Sequence, residues 1–452
     1  VKRGKLLVST GMVVTMLTLA ACGNSAGTSS PNATATDKAG ASSQTPATAK
    51  AVKTLTLVVH SSWVRPGFQA VVDLVNSKSA ELGAKIELEK IAEGDAGDQV
   101  VQTKFAAGEP PDILSWYDAT WSSKLGGSAR LEDLSGDWMK NYDSKALDTP
   151  KYKSDGKLIV APFGEVGTMS MFYNKKVFQE NGLQVPKDWK EFLAISEQLK
   201  AKGITPVYFA GKDAWTLQII PLVGAVRDSK EKVTPTADGL STNKTHFTDL
   251  KLFVDSISKV KELADKQLIN KTFLSDDDQS SHQALLDGKI AMYAMGSWIV
   301  PDLVKADKDK ANNIGAFGIP FDEGQLINLS PPSGLWVPSE SKNKELAKKV
   351  VAFMVSQEAQ QAYFKAQPDI PFAKGIQVNG LVSAQQDIQK LIDEGKSFQS
   401  PLDYTKYQKG PFEKYLQDML VGGKTPVDVA KELDNDFAKA AKAKQDPNWS
   451  AK

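Results

Sequence analysis

Six of the nine tryptophans, Trp63, Trp116, Trp121, Trp215, Trp298 and Trp336, stand within two residues of Gly, Ser, Asp or Pro rather than inside helical stripes. A core tryptophan more often lies within a periodic apolar segment, so six at element ends predict a lined cleft. The chemistry of such a cleft is stacking on flat apolar faces, with an indole N–H as a polar handle. Groups that break bonds are sparse. The three histidines, His60, His246 and His282, are scattered, and no His-Glu-x-x-His run is present. Asp276-Asp277-Asp278 lacks the spacing of a calcium-binding loop and reads as a solvated helix start. No Gly-x-x-x-x-Gly-Lys-Ser/Thr phosphate loop occurs. No cofactor and no metal site is expected.

Composition narrows the partners. The net charge is +1, so no global field attracts a polyanion. Only Arg3, Arg65, Arg130 and Arg227 occur among 55 basic residues. Readers of phosphates and bases lean on arginine's planar fork, which argues against nucleic acid.

The elements that must position the tryptophans follow from periodicity. Thr54–Val59 reads as a strand, and Pro66 opens a helix with Phe68, Val71, Val72 and Val75 on one face. Ile86 and Leu88 mark a second strand, Asp98–Ala107 a helix, and Asp112–Leu114 a third strand. Lys157–Ala161, Met169–Tyr173 and Lys289–Met295 read as further strands. Asp188 and Glu191 stand at capping-box spacing before a helix that Gly203 closes, with Trp189 in its first turn. Further helices run through Leu346, Val350 and Phe353, and from Pro426 through Phe437. Strand and helix alternate over about 400 residues, too many for one core, which predicts two α/β lobes.

The N-terminal end has its own pattern. Lys2, Arg3 and Lys5 precede an apolar run, Leu6–Ala21, shorter than the roughly 20 residues of a membrane span. Residues 1–21 are expected to be a signal peptide. Leu19-Ala20-Ala21-Cys22 resembles a bacterial lipobox, which makes Cys22, the only cysteine, the expected lipidation site. Residues 22–52 hold almost no large apolar side chain and are expected to be a flexible tether.

Five ordered stretches carry a wider resemblance: AAGEPPDILSWYDATW (106–121), GKLIVAPFGEVGTMSMFYNKKVFQENGLQVPKDWKEF (156–192), GKIAMYAMGSW (288–298), KNKELAKKVVAFMVSQEAQQAYF (342–364) and GKTPVDVAKELDNDF (423–437). Together they resemble the extracellular solute-binding proteins of bacterial ABC importers, the sugar-binding type that includes maltose-binding protein. The resemblance implies a two-lobed α/β fold of the periplasmic-binding-protein kind, class II type, with a cleft and several hinge crossings. It places an N-lobe at 53–164 and 337–385, a C-lobe at 165–332 and 386–445, and a hinge segment at 333–336.

It also implies site residues. In the N-lobe these are Trp63, Trp116, Asp118 and Trp121, with Asp118 offset by one from the usual acid of maltose-type binders. In the C-lobe, Asp213 and Trp215 match an acid-x-aromatic loop, and Trp298 matches the stacking aromatic after a Gly-x-Trp turn. Trp336 is expected to reach the ligand from a crossing, and Glu165 is a further candidate. His60 reads as a structural histidine. The implied partners are a carbohydrate, most simply an oligosaccharide, permease subunits with a cytoplasmic ATPase, and a membrane reached through the Cys22 lipid. The implied state is a monomer on the outer face of the cell membrane. Two other readings share the pattern: the same fold with a polyamine or peptide ligand, and an exported glycoside hydrolase.

Overall fold

The computed structural model describes residues 51–229 and 232–449. Cys22, the expected signal peptide and all of the tether before residue 51 lie outside the described residues. Two apolar cores form. One gathers Leu55 to Ala161, Leu335 to Val337 and Ala347 to Phe364; the other gathers Met169 to Ile327 and Val382 to Trp449. The molecule is a two-lobed α/β protein.

The first lobe is built on a five-stranded sheet in the order Ala84–Ile91, Lys53–His60, Ile113–Trp116, Gly334–Trp336, Ala161–Pro162. The first three strands are parallel, in a register that sets Lys53 opposite Ala84 and Leu57 opposite Ile113. Lys53–His60 is inner and buried along most of its length, as a parallel strand covered on both faces must be. Ala84–Ile91 lies at the edge, and its burial alternates early on. The helix Pro66–Ser77 starts with proline in its first turn, where a missing N–H costs nothing, and buries Phe68, Val71, Val72 and Val75.

The second lobe holds a seven-stranded sheet. Its path runs Ile319–Phe321, Gly324–Ser330, Gly167–Asn174, Ile290–Gly296, Thr205–Tyr208, with Ile314–Phe317 and Ser397–Phe398 attached beside it. Gly167–Asn174 and Ile290–Gly296 are buried throughout. The helix Trp189–Ala201 begins as its spacing predicts: Asp188 accepts the backbone N–H of Glu191 at 2.9 Å. The return bond differs, since Glu191 accepts from the N–H of Lys187 at 2.8 Å. Trp189 is buried in this lobe and donates to Glu262 at 2.8 Å.

Two segments depart from expectation. Lys157–Ala161 is not one strand, because the N–H groups of Ile159 and Val160 both turn back to the carbonyl of Tyr152. Only Ala161–Pro162 joins the main sheet. The segment expected as a hinge, 333–336, is mostly strand: Gly334–Trp336 fills the gap between Ile113–Trp116 and Ala161–Pro162. The chain therefore changes lobe just before it.

The Asp188 cap yields a stability prediction. Asp188→Ala is expected to cost about 1 kcal/mol, read as a lower urea midpoint with unchanged slope.

Candidate ligand-binding cleft

In open α/β sheets, ligands bind beyond the carboxyl ends of the strands. In the first lobe the three parallel strands deliver Ser61 to Arg65, Ala92-Glu93 and Tyr117-Asp118 to one edge. In the second lobe Thr205–Tyr208 and Ile290–Gly296 run parallel. They lead into Gly211–Gln218, which carries Asp213 and Trp215, and into Ser297–Ile299, which carries Trp298.

The first wall is an aromatic stack. His60 lies flat on Trp116, with centroids 4.0 Å apart and planes 20° apart. Trp63 meets His60 edge-on at 4.9 Å and Tyr117 at 5.6 Å. Trp121 packs on Trp116 at 5.4 Å. Trp116 is 0% exposed and forms the floor under His60 and the half-buried Tyr117, on which the half-buried Trp63 rests in turn. His60 is buried too, and its Nδ1–H donates to the carbonyl of Ala92 at 3.0 Å. Burial pushes its pKa down, so it serves as a neutral packing group. Asp118 caps the turn that carries Trp121, accepting the N–H of Thr120 at 3.0 Å and also its hydroxyl.

The second wall pairs Trp215, which is 40% exposed, with Trp298 at 6.2 Å. The indole of Trp298 lies across glycine backbone. A Cβ on Gly296 would fall 2.2 Å from ring atoms of Trp298, and one on Gly167 would fall 3.2 Å away. Gly296 is present for space, because its φ of −88° suits any residue. Asp213 accepts the backbone N–H of Asp278 at 2.8 Å. The aspartate run is a helix start as its composition predicts, with Asp277 capping Asp278–Leu286. Its last member does more: Asp278 accepts the Tyr293 hydroxyl at 2.9 Å, and His282 lies 3.6 Å away.

Charge links the walls. Arg65 of the first lobe reaches Asp302 of the second at 3.4 Å. The Glu93 carboxyl, which Ser62 bonds, is pushed above the usual range by desolvation. Arg65 opposes that shift, and Asp278, Asp213 and Asp302 reinforce it. Behind the cleft, Tyr363 donates to Glu165 at 2.5 Å from a slot between Gly67 and Gly164. Asp369 is 0% exposed beside them, and burial followed by the charge of Glu165 raises its pKa well above the carboxylate range.

The structure thus brings Trp63, Trp116, Asp118 and Trp121 together on one wall, and Asp213, Trp215 and Trp298 on the other. Glu165 sits at a crossing and is engaged by Tyr363. Trp336 stands apart: it is 0% exposed in the first sheet and donates to the carbonyl of Tyr117 at 3.1 Å. Tyr117, Glu93 and Asp302 join the cleft without having been singled out from sequence, as does Asp278, which was read only as part of a solvated helix start. Tyr117 had a signal, as an aromatic between Trp116 and Asp118. The three acids had none, since their meeting depends on how the lobes fold.

A family model described as "Bacterial extracellular solute-binding protein" matches residues 75–390. The chain belongs to that family. It is 25% identical over 462 residues to the diacetylchitobiose binding protein DasA of Streptomyces coelicolor, covering 96% of this chain and 98% of the relative. It is 26% identical over 310 residues to the multiple sugar-binding protein of Streptococcus mutans, covering 65% of this chain and 69% of the relative. Among solved structures, a chitin oligosaccharide binding protein superposes with a TM-score of 0.71 at 24% identity, over 86% of this chain and 98% of that one. RafE in complex with raffinose superposes with a TM-score of 0.68 at 21% identity, over 85% and 98%. These neighbours share the two-lobed fold of this solute-binding protein.

Two outcomes are expected. Gly296→Ala forces the Trp298 ring to move, so a cleft ligand should bind at least about tenfold more weakly, a loss of roughly 1.4 kcal/mol or more, measured by calorimetric titration. For Asp369, the folded state holds the proton more tightly than the unfolded chain. Stability therefore falls as pH rises from the ordinary carboxylate value toward the raised folded one. Asp369→Asn should flatten that decline in melting temperatures taken from pH 4 to 8.

Proposed function

We infer that this solute-binding protein captures a carbohydrate by lobe closure and passes it to the permease of an ABC importer. The observation that carries the reading is the pairing of aromatic platforms with carboxylates on the two walls: Trp63 and Tyr117 with Glu93, and Trp215 and Trp298 with Asp213 and Asp278. A sugar ring offers a C–H face to an aromatic and an edge of hydroxyls to acceptors. The relatives named for diacetylchitobiose and multiple sugars support it. The lipobox-like Cys22 supports retention on the outer face of the cell membrane through a lipid.

Binding is favoured over hydrolysis by what the acids already do. A glycoside hydrolase needs two carboxyls with divided acid and base roles, roughly 5–10 Å apart. Here Asp213 and Asp278 each accept through one oxygen, from the N–H of Asp278 and the hydroxyl of Tyr293, which orients them as hydrogen-bond acceptors. Closure supplies the mechanism. Each lobe presents half of the site, and a ligand that touches both shifts the population toward the closed form. The Arg65–Asp302 pair is a direct contact between the two lobes.

The test is intrinsic tryptophan fluorescence titrated with chitin, malto- and raffinose-type oligosaccharides, spermidine and a peptide mixture, with product analysis of the same samples. A saturable change with an unaltered sugar is expected, and Trp298→Ala should weaken it by about tenfold or more. Sugar cleavage would replace binding with catalysis. A response to spermidine or peptide alone would overturn the carbohydrate.

A further inference from the structure

Two carboxyls meet where the chain passes between the lobes. Glu165 lies on the crossing that leads from Ala161–Pro162 into Gly167–Asn174. Asp369 lies on another, between the helix Gln357–Ala366 of the first lobe and the helix Ser383–Asp393 of the second. The two crossings are paired through their backbones: Val166 N–H donates to the carbonyl of Ile370 at 2.9 Å, and Glu165 bridges to Pro371. Both segments join the same two lobes, so a rotation of one lobe on the other acts on the backbone that carries both acids.

Asp369 is 0% exposed. Its Oδ1 accepts the N–H of Ile370 at 2.8 Å, while Oδ2 is buried and makes no hydrogen bond of ordinary geometry. The charged and titratable groups around it come from three other segments. Glu165 stands on the neighbouring crossing, Tyr363 on the helix Gln357–Ala366, and Arg65 just before the helix Pro66–Ser77. Tyr363 donates to Glu165 at 2.5 Å. On the second-lobe side, Gln385 is neutral and gives its amide to the carbonyl of Pro368 at 2.7 Å. Burial and then the charge of Glu165 favour the protonated form of Asp369, against Ile370 N–H, Gln385 and Arg65. Arg65 is engaged elsewhere, since it pairs with Asp302 of the second lobe at 3.4 Å.

We propose that the Asp369–Glu165 pair is a proton switch for lobe position: a proton on Asp369 favours the lobes joined as they stand here, and its loss favours them apart. The link is Arg65. While Asp302 holds the guanidinium, Asp369 has no close cation to neutralise it and keeps its proton. With the lobes apart the Asp302 contact is gone, and Arg65, already within electrostatic reach of Asp369, is free to stabilise the carboxylate. The proton is bound more tightly in the joined arrangement, so raising the pH favours the separated one. The switch needs no ligand and does not rest on the carbohydrate reading.

The experiment measures the distance between two spin labels by pulsed electron paramagnetic resonance on the full chain without ligand. The labels go on Lys85→Cys in the first lobe and Lys190→Cys in the second, both exposed positions, with Cys22→Ser to leave no other thiol. From pH 4.5 to 8, the population at the distance of this structure should fall at least about tenfold relative to the displaced one, the effect of one unit of difference in pKa between the two arrangements. Asp369→Asn keeps the group neutral and should hold that ratio within about twofold across the range. Glu165→Gln removes the charge that helps retain the proton and should move the midpoint to lower pH. Glu93 in the cleft is pushed up as well, so a pH response that survives in Asp369→Asn belongs to another group and overturns the switch. A ratio that does not change with pH in the chain carrying only the labels, or a midpoint that Glu165→Gln leaves in place, overturns it too. If Asp369→Asn does not fold, the Glu165→Gln midpoint decides alone.

Discussion

The motion that this molecule needs passes through backbone segments that are bonded to one another. Phe163 N–H donates to the carbonyl of Ser333 at 3.1 Å, and Val166 N–H donates to that of Ile370 at 2.9 Å. Gly334 pairs with Pro162, and Glu165 with Pro371. The crossings therefore form one ribbon, not three independent strings. Close-packed cores do not deform continuously, so rotation concentrates where the chain leaves them. Gly164, at φ +98°, takes an angle that other residues resist. The prolines nearby remove donors that would tie the ribbon to either sheet.

That ribbon sets what each wall can contribute. Tyr363 wedges between Gly67 at the start of one lobe's helix and Gly164 at the crossing, and bonds Glu165. The same ring touches both the crossing and the first turn of the Pro66–Ser77 helix, whose N-terminal neighbour is Arg65. Arg65 in turn meets Asp302 across the cleft. Hinge, helix start and closing contact thus form one connected path.

The lobes were legible because their signals are local. Apolar runs, the Asp188 cap and the proline before Gly67 act within a few residues, and each appears in the structure close to where the sequence places it. The tryptophans were harder. Proximity to turn residues marks the end of an element, but an element's end has a buried side as well as an open one. Trp116 ends a strand and turns inward under His60, whereas Trp215 stands on a loop and turns out. The family resemblance placed Trp336 at a crossing. Its strand fills the middle of a sheet, and that place is decided by Ile113–Trp116 and Ala161–Pro162, far away in sequence.

The charge of the cleft follows from the same geometry and bears on what it can hold. Glu93 lies within electrostatic reach of Asp213, Asp278 and Asp302, with Arg65 opposing them. A carboxylate only accepts hydrogen bonds, so this cleft is richer in acceptors than in donors. Water can satisfy those acceptors while the lobes are apart, but closure expels it. The occupant must then bring donors of its own, several of them, on a body with flat apolar faces for Trp63, Trp215 and Trp298. A polyol ring meets both demands without adding charge to a site that already strains to hold its own. An anion would add to the repulsion that, after desolvation, raises the Glu93 pKa.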